Sequence, residues 1–136
     1  MIEKIKDYFE KNVTLAEQFN EMLVDFLGEK ATSYTIEPIP TDYIITQYAD
    51  GGSLRQYVFQ FGSREFYDES LTQNIENINF YENFQKEIED NNKNGVLPDI
   101  AGIQSIECLN YGTIQDVETG SAKYVIQMRV VYLKED

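Results

Sequence analysis

Acid–base chemistry in this chain would have to run on carboxylates. The sequence holds 24 Asp and Glu, one Cys and no His in 136 residues. Without His, the commonest general base and the commonest metal-ligating side chain are both missing. Nucleophilic designs that need a Ser-His-Asp or Cys-His set are ruled out. Glu87, Glu89 and Asp90 are close enough in sequence to form a catalytic pair or hold a metal. The same three fall on the polar face of a charged helix, where solvation is their ordinary use. Asp42, Asp50, Asp116 and Glu118 are oxygen donors of the kind a hard cation takes, but their spacing does not match an EF-hand loop. Asp50-Gly51-Gly52-Ser53 has the glycines of a phosphate cradle, yet a P-loop ends in Lys-Ser/Thr ahead of a helix. Here the glycines open onto a strand. Cys108 lies in an apolar stretch over residues 103–109, which reads as a buried, inert thiol, and a lone Cys forms no internal disulfide. The residues therefore predict no catalytic group, no cofactor and no metal site.

The three arginines are more informative. Arg55, Arg64 and Arg129 all sit on or beside strands in a chain dominated by acids. Arg favours bidentate pairing with carboxylates at interfaces. One reading sets an acidic helix of one subunit against the arginines of the next, a head-to-tail contact that closes into a ring when the rotation allows. The other reading is a local salt bridge within the chain or a solvated strand face.

The elements that must position these residues can be read from periodicity. Ile2, Ile5, Tyr8 and Phe9 predict an N-terminal helix over residues 2–11. Thr14 could cap a second short helix carrying Leu15, Ala16 and Phe19. Residues 22–27 suit either a helix end or a strand, and a strand paired with the next one is favoured, with Gly28 as cap or turn. Residues 33–37 are rich in strand formers and stop at Pro38, and Pro40 bounds a loop. Residues 42–48 form a short strand or a structured arm, and residues 50–53 are the clearest turn. Residues 54–62 alternate, with Tyr57, Phe59 and Phe61 on one face and Gln56, Val58 and Gln60 on the other. Residues 64–67 then lead to Ser70, an N-cap for a long helix over residues 71–92.

In that helix Leu71, Ile75, Ile78, Tyr81, Phe84 and Ile88 make the buried stripe. Glu76, Glu82, Glu87, Glu89 and Asp90 make the wet one, opposed by Lys86. Asn94-Gly95 ends it and Pro98 guards the end. Strands follow over residues 103–110 and 122–132, the second with Tyr124, Ile126, Met128, Val130 and Tyr132 on one face and Gln127 and Arg129 on the other. Between them, residues 111–121 read as a polar hairpin loop or flap, long for a hairpin. Strands arriving in hairpins with helices on one face predict an α+β fold: a mainly antiparallel β-sheet with the N-terminal helix and one long helix packed on it. No internal repeat or linker appears, so residues 1–136 read as a single domain.

Totals narrow the partners. The net charge is −13, which repels nucleic acid and anionic membranes. A negative channel wall would still let DNA slide past as cargo. Ten Tyr and eight Phe with no Trp suit either half-wet subunit contacts or ordinary strands. The first residues are charged, with no signal-peptide core. No apolar run approaches the roughly 20 residues that cross a bilayer. The expectation is a product of the cytosol, released by lysis, with no membrane partner.

Several segments, taken in order, resemble a known family. They are Ala31-Thr32-Ser33-Tyr34-Thr35-Ile36-Glu37-Pro38, Ser53-Leu54-Arg55-Gln56-Tyr57-Val58-Phe59, and Ser63-Arg64-Glu65-Phe66-Tyr67. Gln73-Asn74-Ile75-Glu76-Asn77, Phe80-Tyr81-Glu82, Gly95-Val96-Leu97-Pro98 and Ala122-Lys123-Tyr124-Val125-Ile126-Gln127 continue the series. Together they span most of the chain. They are similar to tail terminator (tail-completion) proteins, often called minor capsid proteins, of Gram-positive phages and prophages with contractile tails and of tail-like bacteriocins. The resemblance implies a hexameric ring on the end of the tail tube that stops its polymerisation. The ring would contact tube protein, the sheath, and a head connector or collar protein. It would belong to a virion or tail particle assembled in the bacterial cytoplasm. The resemblance carries over no catalytic residue. Arg55, Arg64, Glu65 and Tyr67, with Arg129, are candidates for subunit or tube contacts. Two other readings compete: a neck or head-completion protein, which would bind the portal side, and an acidic soluble binding module such as a DNA mimic.

Overall fold

The computed structural model describes residues 1–12, 21–24, 33–66, 71–118 and 121–135. The fold is α+β, with two helices and a mainly antiparallel seven-stranded sheet among the described residues. Helix α1 spans Ile2–Asn12 and helix α2 spans Leu71–Lys93. The strands are β1 (Glu21–Val24), β2 (Ser33–Pro38), β3 (Ile44–Gln47), β4 (Ser53–Phe66), β5 (Ile103–Cys108), β6 (Thr113–Glu118) and β7 (Ser121–Lys134). The proposed cap Thr14 and its short helix, Gly28 and the cap Ser70 lie outside the described residues.

Two long strands make the spine. β4 and β7 pair antiparallel over their full lengths, from Ser53↔Lys134 to Phe66↔Ser121. On the core face aromatic residues of β4 meet aliphatic residues of β7, as Tyr57↔Val130, Phe59↔Met128 and Phe61↔Ile126, and such cross-strand pairs favour the ladder. Each long strand carries two short ones in line along its outer edge. β2 and then β3 run along β4; β5 and then β6 run along β7. A helix precedes each half, so the architecture repeats itself although the sequence does not.

Three expectations are corrected. First, β4 continues to Phe66, so Arg64 and Glu65 are ladder residues opposite Lys123 and Ala122 rather than a lead-in to the helix. Strands flank Gly62, the last residue of the expected strand, on both sides, at Thr35 and Val125, and the ladder runs on through it. Second, residues 113–118 form β6 rather than a flap, because the 14-residue β7 offers an edge longer than β5 can cover. Third, β1 pairs with β2 as expected, but in parallel, so that pair is not a hairpin.

One face of the sheet holds the core. Phe59 and Phe61 of β4, Ile36 of β2, Ile106 of β5 and Tyr124, Ile126, Met128 and Val130 of β7 are buried on it. Ile5, Tyr8 and Phe9 of α1 and Tyr81, Phe84 and Ile88 of α2 cover them. Phe61 and Phe84 stack with centroids 4.6 Å apart, and Phe9 lies 5.5 Å and 5.9 Å from them. The Tyr8 hydroxyl donates to Val96 O at 2.9 Å and accepts from Asn91 Nδ2 at 3.0 Å, which ties α1 to the end of α2.

Candidate functional site

The carboxylates do not converge. Glu82, Glu89 and Asp90 are exposed on the outer face of α2, beside exposed Lys86. Asp42 and Asp50 belong to the β3–β4 hairpin, whereas Asp116 sits in β6 opposite Lys123. Asp50 lies beside Gly52, at the Lys134 end of β7. Eleven residues of strand separate Lys123 from Lys134, roughly 36 Å at strand rise. No group of three or more His, Cys, Asp or Glu able to hold a metal occurs among the described residues.

The Asp50–Ser53 turn spends its own donors. Gly51 N–H donates to Tyr48 O at 3.2 Å, and Gly52 N–H donates to the Asp50 carboxylate at 2.9 Å. Gln47 Nε2 donates to Gly52 O at 3.1 Å. A phosphate would find neither amide available.

Cys108 ends β5 opposite Met128, on the core face. Burial pushes its thiol up to about 12, with the charge of Glu89 adding to the shift. A thiol held neutral is a poor nucleophile. An aromatic disulfide reagent at pH 8 should therefore label the native protein roughly a thousandfold more slowly than the urea-unfolded chain. Labelling within tenfold of the unfolded rate would show a wet, ionisable thiol instead.

The arginines separate. Arg129 lies on the sheet face turned away from the helices, and its Nε donates to Glu107 Oε2 at 2.8 Å. Its Nη1 donates to Gln56 Oε1 at 3.1 Å. That is the intrachain salt bridge, with Ser105 Oγ donating to the same carboxylate at 3.0 Å. Arg55 lies on the opposite face, parity-matched with Tyr57 and Phe59. It donates from Nε to Ser53 Oγ at 2.9 Å and stands 5.2 Å over the Tyr43 ring. Arg55 thus braces the hairpin arm, and a cation over a ring is a modest attraction. Arg64 and Glu65 occupy the far end of β4. Tyr67 lies outside the described residues.

Two surfaces stand out by exposure. The β3–β4 hairpin, residues 41–51, is exposed along its whole length. It carries Tyr43, Ile44, Ile45 and Tyr48, with Tyr43 57% exposed. On the opposite edge, the corner between β5 and β6 exposes Leu109, Tyr111 and Ile114, with Tyr111 75% exposed. The corner is fixed in place. Leu109 N–H donates to Gln127 O at 2.8 Å, and Gln127 N–H donates to Asn110 Oδ1 at 3.0 Å. Gly112 fits because any Cβ there would lie 2.5 Å from the Tyr81 ring. Sequence periodicity missed this corner. Residues 43–49 and 109–115 are uncharged runs in a chain of net charge −13, but so are residues 56–63 and 100–106, so absence of charge marks a surface only once exposure is known.

An edge device separates the corner from the rest of β5. Asn92 of α2 offers its amide to the outer edge of Ile106: Oδ1 accepts from Ile106 N–H at 2.9 Å, and Nδ2 donates to Ile106 O. The side chain imitates a neighbouring strand, so this stretch of edge is occupied. An open cleft of about 600 Å³ lies at the end of β7, lined by Met1, Ile100, Gly102, Tyr132 and Leu133 among others. No helix among the described residues is long and apolar enough to cross a membrane. Comparison with known proteins gives no match, either to a family model or to a curated sequence.

Proposed function

We propose that this chain is a structural subunit of a phage-type tail. Copies assemble into a hexameric ring that caps the tail tube, ends its polymerisation and joins it to the head or collar. The observation that carries the assembly reading is the β3–β4 hairpin, which holds four large apolar or aromatic side chains in water. Runs of this kind mark contact surfaces rather than monomer surface. The tail assignment comes from the resemblance, and its segments work together in the fold. Tyr81 OH pairs with Ser63 Oγ and donates to Tyr124 O at 3.1 Å. Three of the resembling segments thus meet at one buried node. The exposed acids of α2 suit a surface past which DNA slides without sticking. The particle is a virion or tail, built in the host cytoplasm.

The test is the mass of the protein in solution, alone and with a phage-type tail tube protein. Six copies, free or seated on tubes of limited length, are expected. A monomer that leaves tube growth unchecked would remove the terminator reading.

A further inference from the structure

We infer that copies of this chain join head to tail through two specific surfaces: the hairpin arm of one copy docks on the β5–β6 corner of the next. This deepens the assembly part of the reading above and does not depend on the tail part. The occupant is a second copy because this chain offers both halves of an uncharged, aromatic-aliphatic contact. Two bodies of net charge −13 repel at every generic approach. They meet at low electrostatic cost where neither brings charge to the contact. The runs at residues 43–49 and 109–114, exposed apart from half-buried Gly112, are such places.

Placement supports the pairing. The arm lies on the β4 edge and the corner on the β7 edge, on opposite sides of the spine. Tyr43 O accepts from Gln56 N–H, and Gln56 faces Val131; Leu109 pairs with Gln127. The near ends of arm and corner therefore differ in height by four residues of β7, roughly 13 Å at strand rise, and Ile45 and Tyr111 by about six to seven, roughly 21 Å. Neighbours set side by side in the same sense bring them together with a slide of that size along the strands. The Asn92 cap on Ile106 removes the adjacent stretch of β5 edge as a competing site. One arm and one corner per copy make the contact heterologous, so it propagates until it closes.

The experiment uses the full chain and two variants, Ile45→Lys on the arm and Tyr111→Lys on the corner. Lys lowers the net negative charge, so lost association cannot be general repulsion. Sedimentation should show oligomers for the parent and monomers for each variant alone, the association constant falling at least about 30-fold. An equimolar mixture of the two variants should give a dimer and nothing larger, since one intact arm meets one intact corner. A corner variant that still dimerises alone would mean an arm-to-arm contact and overturn the inference. So would a mixture that stays monomeric while the parent assembles, or a parent that stays monomeric at every concentration. A parent that assembles through these surfaces but leaves tube growth unchecked would remove the tail reading and keep the contact.

Discussion

Replacing Phe84 with Ala should cost about 3–5 kcal/mol of folding stability. Phe84 has no exposed surface and stacks on Phe61 at 4.6 Å. It also faces Phe9 of α1 at 5.9 Å and Tyr81 at 6.5 Å. The ring is thus the joint at which both helices meet the sheet. Truncation removes the ring's transfer energy and leaves a cavity walled by other rings, which are too rigid to fill it. A domain of this size is stable by about 5–15 kcal/mol, so the loss is a large part of the whole. Urea unfolding followed by circular dichroism should show a lower midpoint with an unchanged slope. Phe84→Leu, which keeps most of the volume, should lose less than half as much. A loss under about 1 kcal/mol for the alanine variant would mean that α2 is not seated on the sheet by this residue.

That core was legible because it obeys two simple periods. Phe59, Phe61, Tyr124, Ile126, Met128 and Val130 alternate along their strands, and Tyr81, Phe84 and Ile88 recur at helical steps; all are buried together. β6 was not legible, because Asp116 and Glu118 sit where a strand reader expects apolar residues. Its strand state is set from outside, by the free half of the β7 edge. The same limit applies to the stretch of β4 beyond Gly62. Glycine weakens a strand locally, while the ladder on both sides overrides propensity and carries β4 on to Phe66. The repeat of two helix-led halves leaves no sequence trace, since the same topology tolerates any residues with the right period.

The contact residues divide for a related reason. Arg129 was a candidate interface residue, but its partner Glu107 lies 22 positions away and is joined to it only by the β5–β7 register. No local pattern announces such a pair. Half-exposed as it is, the bridge adds little stability, and its geometry leaves Arg129 committed within its own chain. The exposed corner at Leu109 and Tyr111 has the opposite character. Its signal is an absence of charge in an acidic sequence, which becomes meaningful once the residues prove to be exposed.

Two glycines with nearly the same backbone angle allow strain to be separated from contact. Gly95 has φ of +72° and Gly102 has φ of +74°. An alanine at either position meets the same left-handed backbone penalty, about 1 kcal/mol. Around Gly95 a new Cβ would find nothing within 4 Å. At Gly102 it would lie 2.0 Å from Leu133 O and 3.0 Å from Leu133 C. Those atoms cannot swing aside, because Leu133 is a ladder residue of β7 opposite Leu54 of β4. Leu133 N–H also donates to Gly102 O at 2.8 Å, so moving the turn away breaks that bond. Ile103↔Tyr132, the first pair of the β5–β7 ladder, follows immediately and would be pulled with it. Gly102→Ala should therefore cost about 3 kcal/mol or more, the sum of backbone strain, overpacking and a lost hydrogen bond. Gly95→Ala should cost about 1 kcal/mol. Paired urea titrations measure the difference directly, with strain common to both. Equal losses would mean that the turn at Gly102 does not rest on β7, and the start of β5 would need a different anchor.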